Sequence, residues 1–260
     1  MYNDIYVVGY PKSGNTWLAR LLSEVTNSPI QANDIINTAD NDKRNGNFKI
    51  HKIHDSKNFE SIVKSNKVVY IVRDVRDVLI SGFFFNYPMF TEEQVKNNFF
   101  IRKYFNYEIK RLNKQWQGNI LVQLIRNTEI KINNFIGKQD SKALIGSWSE
   151  HIERWTNNPN CIMIKYEDML NDTFKELEKV INFLNLDINP NILEQTVKNQ
   201  SFEKKKQEFI KKGDTVNAKF MRSGKSEKWC SLLNSSLENK IIQRHKHYLS
   251  SLKYIRNENE

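Results

Sequence analysis

The chain has 260 residues and a formal net charge of +10, from 40 Lys and Arg residues against 30 Asp and Glu residues. This length suits one large α/β domain over residues 1–260, and the positive charge favours an anionic ligand. The apolar runs are too short for an integral membrane protein, and two cysteines give neither a disulfide framework nor a metal motif, so we expect a cytoplasmic protein without a bound metal.

The first predicted strand, residues 5–8, runs directly into a glycine loop and then into a helix. The loop, Gly9–Thr16, has the two glycines and the threonine of a phosphate-binding loop, G-x-x-x-x-G-K-[ST]. Asn15 stands where that motif has its lysine, and Lys12 lies inside the loop instead. A glycine loop between a strand and a helix points backbone N–H groups and the helix dipole at an anion. We therefore predict an anion site, the alternative being a tight turn without a ligand.

Three further strands are predicted, at residues 47–54, 67–72 and 160–166, and each ends at a polar side chain. The polar groups at the ends of the four strands are Lys12, then His51 and His54, then Arg73, then Tyr166. Parallel sheets bind ligands at the carboxyl ends of their strands, so we expect these side chains to converge at one edge.

Predicted helices alternate with these strands. Asp74 is placed to cap the helix after the third strand, and Thr173 with Glu176 has the spacing of a capping box. Residues 204–225 are basic and are expected to be irregular, with helix resuming after Trp229. The alternation predicts an α/β protein with a P-loop-like three-layer fold, in which helices flank a central parallel sheet.

The segment from about residue 86 to 142 has no clear strand pattern and is predicted to be a helical insertion. An aromatic cluster lies just before and within the start of this segment. It is made of Phe83, Phe84, Phe85, Tyr87, Met89 and Phe90. Such a cluster either lines a hydrophobic pocket or forms buried core, and the sequence favours the two alternatives equally. The remaining histidines, His151, His245 and His247, are expected on surface helices without a role.

Together these motifs resemble the cytosolic-type sulfotransferases (sulfotransferase domain family 1), which use 3'-phosphoadenosine-5'-phosphosulfate (PAPS). Tyr10–Trp17 resembles the family's 5'-phosphosulfate loop, and Tyr70–Ser81 resembles its 3'-phosphate motif, with Arg73 and Ser81 eight residues apart. Further resemblances are Gly146–Trp148 with Trp155, Lys165–Met169, and Phe220–Gly224 with Trp229. The resemblance covers more than half of the chain and leads us to expect a bacterial or viral member.

The resemblance implies PAPS as co-substrate, its desulfated form PAP as product, and no metal. The residues it implies for nucleotide binding are Lys12, Ser13, Gly14, Asn15, Thr16, Trp17, Arg73, Ser81, Tyr166, Ser201, Phe202, Met221, Arg222, Ser223 and Gly224. Two of these depart from the family pattern, because Asn15 replaces a usual threonine and Ser223 replaces a usual lysine. Lys225 and Arg76 are the candidates to supply the missing charge.

The implied reaction is an in-line displacement that moves a sulfuryl group to a hydroxyl or amine of an acceptor. Lys12 is implied to stabilise the leaving-group oxygen. The family's base lies in a K-x-H motif, which occurs here twice, as Lys49–His51 and Lys52–His54. His51, 22 residues before Arg73 as in animal members, is the favoured base, with Lys49 as a second cation. His54, which resembles the K-T-H-D form of many bacterial members, is the alternative.

Two other functions fit parts of the sequence. One is a catalytically degenerate protein that binds PAPS or an anionic glycan, and the other, less favoured, is a P-loop nucleotide kinase. The displaced lysine argues against the kinase. The acceptor is expected to be a small molecule, glycan or lipid rather than a nucleic acid, and to contact the 86–142 insertion. No motif assigns an oligomeric state.

Overall fold

The computed structural model describes residues 4–31, 44–54, 59–114 and 145–255. Residue contacts divide the chain into two units. The first comprises residues 1–54, 58–73 and 154–225, and the second comprises residues 55–57, 74–153 and 226–260.

A five-stranded sheet lies in the first unit. Its strands are β1 Asp4–Val8, β2 Ile30–Gln31, β3 Lys49–Ile53, β4 Val68–Val72 and β5 Cys161–Lys165. They are ordered β2-β3-β1-β4-β5, and every pairing is parallel. The predicted α/β fold with a central parallel sheet is therefore confirmed, and the carboxyl ends of the strands share one edge.

Helices follow or separate the strands. In chain order they are α1 Asn15–Val25, α2 Phe59–Ser65, α3 Val75–Asn86, α4 Glu92–Asn97, α5 Phe99–Lys114, α6 Trp148–Thr156, α7 Tyr166–Asn171, α8 Thr173–Leu184, α9 Pro190–Asn199, α10 Phe202–Lys211, α11 Thr215–Phe220, α12 Trp229–Leu232 and α13 Ser235–Ser251. The second unit contains α3, α4, α5, α12 and α13, and α6 begins there.

The core of the first unit forms where helices cover one face of the sheet. Alternate strand residues, such as Ile5, Val7, Val69 and Ile71, are buried against apolar residues of α1, α7, α8 and α9. All five residues of β4 are buried, as expected for a central strand of a parallel sheet. This packing fixes the positions of the strand ends.

The four predicted strands are confirmed, but other local predictions were wrong. β2 was not predicted, since two residues carry too little pattern. Asp172, not Thr173, caps α8 by accepting a hydrogen bond from Lys175 N, and the Thr173 hydroxyl bonds back to Met169 O at 2.7 Å. Most of residues 204–225 is helical, in α10 and α11, because Phe209 packs into the core and Asp214 caps α11.

The second unit is organised around buried charges that follow β4 in sequence. Asp74 caps α3, as predicted, by accepting a bond from Arg76 N at 2.8 Å. The Arg76 guanidinium pairs with Asp74 at 2.7 Å and Glu238 at 3.0 Å and lies 3.6 Å from the centre of the Trp229 ring. Arg76 is thus a structural cation of this unit. Asp77, also buried, accepts bonds from the backbone N–H groups of residues 227 and 229.

The aromatic cluster of the second unit is largely core. Phe83, Phe84 and Tyr87 are nearly inaccessible, and the Phe83 ring meets Phe105 edge to face with 4.9 Å between centres. Met89 is exposed. The described part of the predicted insertion contains α4 and α5, and its residues 115–142 lie outside the described part of the chain.

Two of the histidines expected on the surface are buried. His151 and His245 are fully or almost fully inaccessible, whereas His247 is exposed. His245 Nδ1 lies 2.7 Å from Ser149 Oγ, and its Nε2 lies 3.1 Å from Asn113 Oδ1. Because a carbonyl oxygen only accepts, Nε2 carries the proton and Nδ1 accepts from the serine. Burial, aided by the positive charge of Arg244 and opposed by Glu150, lowers the pKa of His245 to about 4.

This buried imidazole predicts a loss of stability in acid. Its pKa in the folded protein lies below the ordinary value of 6.5, so the unfolded chain binds the proton more readily. The contribution of the neutral His245 to the free energy of unfolding is therefore fully present above pH 6.5 and is lost as the pH falls towards about 4. We expect the free energy of unfolding in guanidinium to fall by about 3 kcal/mol more in wild type than in His245→Gln over that range. His247→Gln, on the same helix but exposed, should behave as wild type. An equal acid response in His245→Gln would contradict the prediction.

No described helix has the length and apolar character needed to cross a membrane.

Candidate functional site

The glycine loop after β1 leads directly into the N-terminus of α1. Gly14, in the left-handed region with φ 109°, is the N-cap of α1, so the loop turns directly into the helix. Lys12 also has a positive φ, 73°, and Ser13 N donates to Tyr10 O at 3.1 Å. The side chains of Ser13, Asn15 and Thr16 are buried at this helix N-terminus. Backbone N–H groups and the helix dipole favour a negative ligand there.

Close packing explains the two glycines of the loop. A methyl group at Gly9 would lie 2.5 Å from Ile71 O, and one at Gly14 would lie 2.7 Å from the Tyr166 ring. The Ser13 hydroxyl oxygen is fully buried and has no hydrogen-bond partner among the described residues. A buried hydroxyl normally has a partner, and this one retains a donor that an anion in the loop could accept.

Arg73, the first residue after β4, ties three segments of the first unit together. It is 7 % exposed, and its Nη2 donates to Lys225 O at 2.9 Å. Its Nη1 lies 3.4 Å from Lys12 O, and its guanidinium carbon lies 4.3 Å from the centre of the Tyr166 ring. The structure therefore brings Arg73, the glycine loop and Tyr166 together at the carboxyl edge, as the sequence predicted. Guanidinium groups in proteins commonly bind phosphates through paired N–H donors.

The aromatic residues predicted around the nucleotide base lie near one another in the first unit. Trp17 Nε1 donates to Gln200 O at 3.2 Å, two residues before Phe202, and the Trp17 and Tyr166 rings meet edge to face at 5.9 Å. A methyl group at Gly224, where φ is 60°, would lie 2.5 Å from the Phe202 ring. This glycine therefore lets the chain pass directly against the aromatic ring.

The remaining nucleotide-binding candidates of the first unit flank Phe202. Ser201 is the N-cap of α10, and Met221, Arg222 and Ser223 are half-buried in the segment after α11. Lys206 Nζ lies 3.5 Å from Arg222 O and 5.5 Å from the centre of the Phe202 ring. Lys206, which has no role predicted from the sequence, thus places a cation beside the backbone of residue 222, one residue before Ser223.

The two candidate histidines occupy different environments. His51 lies within β3, opposite Tyr6 of β1, and its ring stacks on the tyrosine with 4.7 Å between centres. Its Nε2 lies 2.8 Å from Asp4 Oδ1. Asp4 is the first residue of β1, and Lys49 is the first residue of β3, in register with Asp4. The Lys49–His51 motif therefore faces the amino-terminal part of the sheet.

The second motif reaches the carboxyl edge. His54 directly follows β3, and its Nδ1 lies 2.9 Å from the carbonyl oxygen of Gly9, the first residue of the glycine loop. Lys52 Nζ lies 3.5 Å from the hydroxyl oxygen of Thr16. From the sequence, Lys52 belongs to the second K-x-H motif but receives no role of its own. Its signal was the K-x-H spacing together with its position next to the end of a parallel strand.

Ser81 lies half-buried on α3, in the second unit, and its assignment stays a prediction from the sequence motif. Within the described ranges, no three His, Cys, Asp or Glu side chains are grouped to hold a metal ion. The candidate site of the first unit is thus built from cations, backbone N–H groups, hydroxyls and aromatic rings. Such a site suits a ligand with phosphate groups and a planar base.

The sequence of the chain also matches a known protein family. The sequence profile of the family described as "Sulfotransferase domain" matches residues 2–253. Sulfotransferase 2A1 of Homo sapiens is 26 % identical over 255 residues, covering 87 % of this chain and 77 % of the relative. The 3-beta-hydroxysteroid sulfotransferase of Cavia porcellus is 26 % identical, covering 82 % of this chain and 68 % of the relative.

Solved structures share the fold. Mouse sulfotransferase SULT7A1 complexed with PAP has a TM-score of 0.65 at 20 % identity, covering 95 % of this chain and 84 % of that one. Retinol dehydratase in complex with androsterone and PAP has a TM-score of 0.61 at 14 % identity, covering 99 % of this chain and 83 % of that one.

Proposed function

The chain belongs to the sulfotransferase domain family, and on that premise we propose that it transfers the sulfuryl group of PAPS to a hydroxyl group of a small acceptor molecule. The single observation that carries the proposal is the joining of the glycine loop, Arg73 and Tyr166 at one sheet edge. PAPS presents a 5'-phosphosulfate and a 3'-phosphate on an adenosine, and this edge offers matching anion donors beside aromatic rings. The family profile spans both units, which supports one sulfotransferase domain over the chain.

The glycine loop is proposed to bind the 5'-phosphosulfate. The backbone N–H groups of residues 14–16, with the Ser13 and Thr16 hydroxyls, would donate to it. Arg73, with Arg222 and Gly224, is proposed to bind the 3'-phosphate, while Trp17, Tyr166 and Phe202 hold the adenine. PAP bound in two solved relatives of the same fold supports this use of the nucleotide.

Three side chains are proposed to assist the transfer itself. Lys12 stabilises the negative charge that develops on the phosphate oxygen when its bond to sulfur breaks. His54 takes the proton from the acceptor hydroxyl as the new oxygen–sulfur bond forms. Lys52, close to Thr16, is a second cation near the transferred group. His54 is preferred to His51 because it is hydrogen-bonded to the glycine loop, whereas His51 lies beside Asp4.

The proposed acceptors are neutral alcohols. Relatives include a 3-beta-hydroxysteroid sulfotransferase, and solved structures of the same fold carry androsterone or retinol. The test is incubation with PAPS labelled in the sulfuryl group and a panel of a steroid alcohol, a phenol, a simple sugar and an amine. We expect label in one alcohol product with an equal amount of PAP. Tight PAP binding without transfer to any acceptor would instead favour a degenerate nucleotide-binding protein, and magnesium-dependent transfer from ATP would favour a kinase.

A further inference from the structure

The carbonyl oxygen of Gly9 accepts two side-chain hydrogen bonds at the candidate site. One comes from Asn15 Nδ2 at 3.0 Å, and the other joins it to His54 Nδ1 at 2.9 Å. A carbonyl oxygen has two lone pairs and no proton, so both nitrogen partners must donate. His54 therefore carries a proton on Nδ1, and its neutral ring has the basic lone pair on Nε2.

Asn15 is placed to control both backbone segments on which this bond depends. Its side chain is 2 % exposed, and the same Nδ2 lies 3.4 Å from Ile53 O, at the end of β3. The amide thus links the first residue of the loop to the residue before His54. A methyl group at Gly9 would lie 2.9 Å from the Asn15 amide atoms, so the two groups are packed as well as hydrogen-bonded.

We propose that the Asn15 side chain is a positioning residue for His54. It holds the Gly9 carbonyl towards Nδ1 and thereby keeps the base in the tautomer that accepts a proton at Nε2. The role of His54 as base rests on the proposed function, but the control of its tautomer does not. The amide group suits this task because it carries two N–H donors for two carbonyl acceptors, whereas a threonine hydroxyl carries one.

The Gly9 carbonyl also takes part in the proton transfer. When Nε2 takes the acceptor's proton, the ring becomes an imidazolium whose second N–H still points at the Gly9 oxygen. A hydrogen bond from a charged donor is stronger than one from a neutral donor, so this carbonyl stabilises the cation that forms. Loss of Asn15 frees the peptide of Gly9 to rotate and weakens that stabilisation.

The test measures the tautomer of His54 directly. Long-range ¹H–¹⁵N spectra of the imidazole rings, recorded at about pH 8 where histidine is neutral, distinguish an Nδ1–H from an Nε2–H ring. We expect Nδ1–H for His54 in wild type and an increased share of Nε2–H in Asn15→Ala. The kcat of this variant should fall by about tenfold or more, a part of what a general base contributes. Asn66→Ala is the matched control, since Asn66 Nδ2 also donates to a backbone carbonyl, Ile62 O at 3.1 Å.

Each possible His54 tautomer result supports or contradicts the proposed role of Asn15. An Nε2–H ring in wild type overturns it without any variant, and so does an unchanged Nδ1–H ring in Asn15→Ala. Asn15→Asp keeps the shape but loses both donors, so it should show the same shift if the alanine variant fails to fold. A wild-type Nδ1–H ring that depends on Asn15 in a protein without sulfuryl transfer supports the inference and rejects only the proposed function.

Discussion

Replacing Lys12 by methionine will lower the rate of sulfuryl transfer by about a hundredfold or more, the cost typical of removing one donor to a developing negative charge. Methionine keeps much of the length of the side chain and removes its charge and its N–H donors. The loop backbone should retain its shape, because Gly14 and the buried Ser13 and Asn15 define it. The measurement is kcat with saturating PAPS, alongside the affinity for PAP.

The affinity for PAP matters because PAP has no sulfuryl group. A lysine that acts on the leaving group contributes mainly in the transition state, so kcat should fall far more than the affinity for PAP. Lys64→Met, an exposed lysine of the first unit on α2, is the control for loss of charge. A Lys12→Met rate within about threefold of wild type would show that the leaving-group role is wrong.

The second large effect concerns the base. His54→Ala should lower kcat by about 10²- to 10⁴-fold, the usual contribution of a general base, with PAP binding preserved. His51→Ala should remain active and lose only the Asp4 pair and the Tyr6 stack, at a stability cost of about 1 kcal/mol. The two substituted histidines lie three residues apart, so each variant serves as the control for the other. Activity in His54→Ala together with an inactive, folded His51→Ala would restore the assignment that the residue count favoured.

His51 and His54 lie in different parts of the sheet, a difference that the sequence alone did not predict. The count of residues to Arg73 favoured His51, because it treats the chain as if no residue were inserted or deleted. The sheet register places His51 opposite Tyr6, inside the strand, and His54 just past the end of β3. His54, past the carboxyl end of β3, contacts the first residue of the loop that follows the neighbouring strand β1. The register of parallel strands, which places it there, is a long-range property.

Local signals predicted the elements well where the pattern was strong. The apolar run of β4 and the Asp74 cap of α3 were both confirmed. Local signals gave the wrong prediction where packing or a second capping residue determined the structure. Asp172, not Thr173, caps α8, and α10 forms in a stretch of lysines because Phe209 packs into the core. His245 is buried because α13 packs it against Ser149 and Asn113, a tertiary contact that no short stretch of sequence predicts.

The fold class, the glycine loop with its displaced Lys12, and the family could all be recognised from residue types at fixed spacing along the chain. Which side chains come into contact depends on the folded structure. It placed Arg73 over Tyr166 and joined Asn15 and His54 through one carbonyl oxygen. These contacts link residues far apart in sequence, and their geometry is set by strand order and packing, which local residue patterns do not encode.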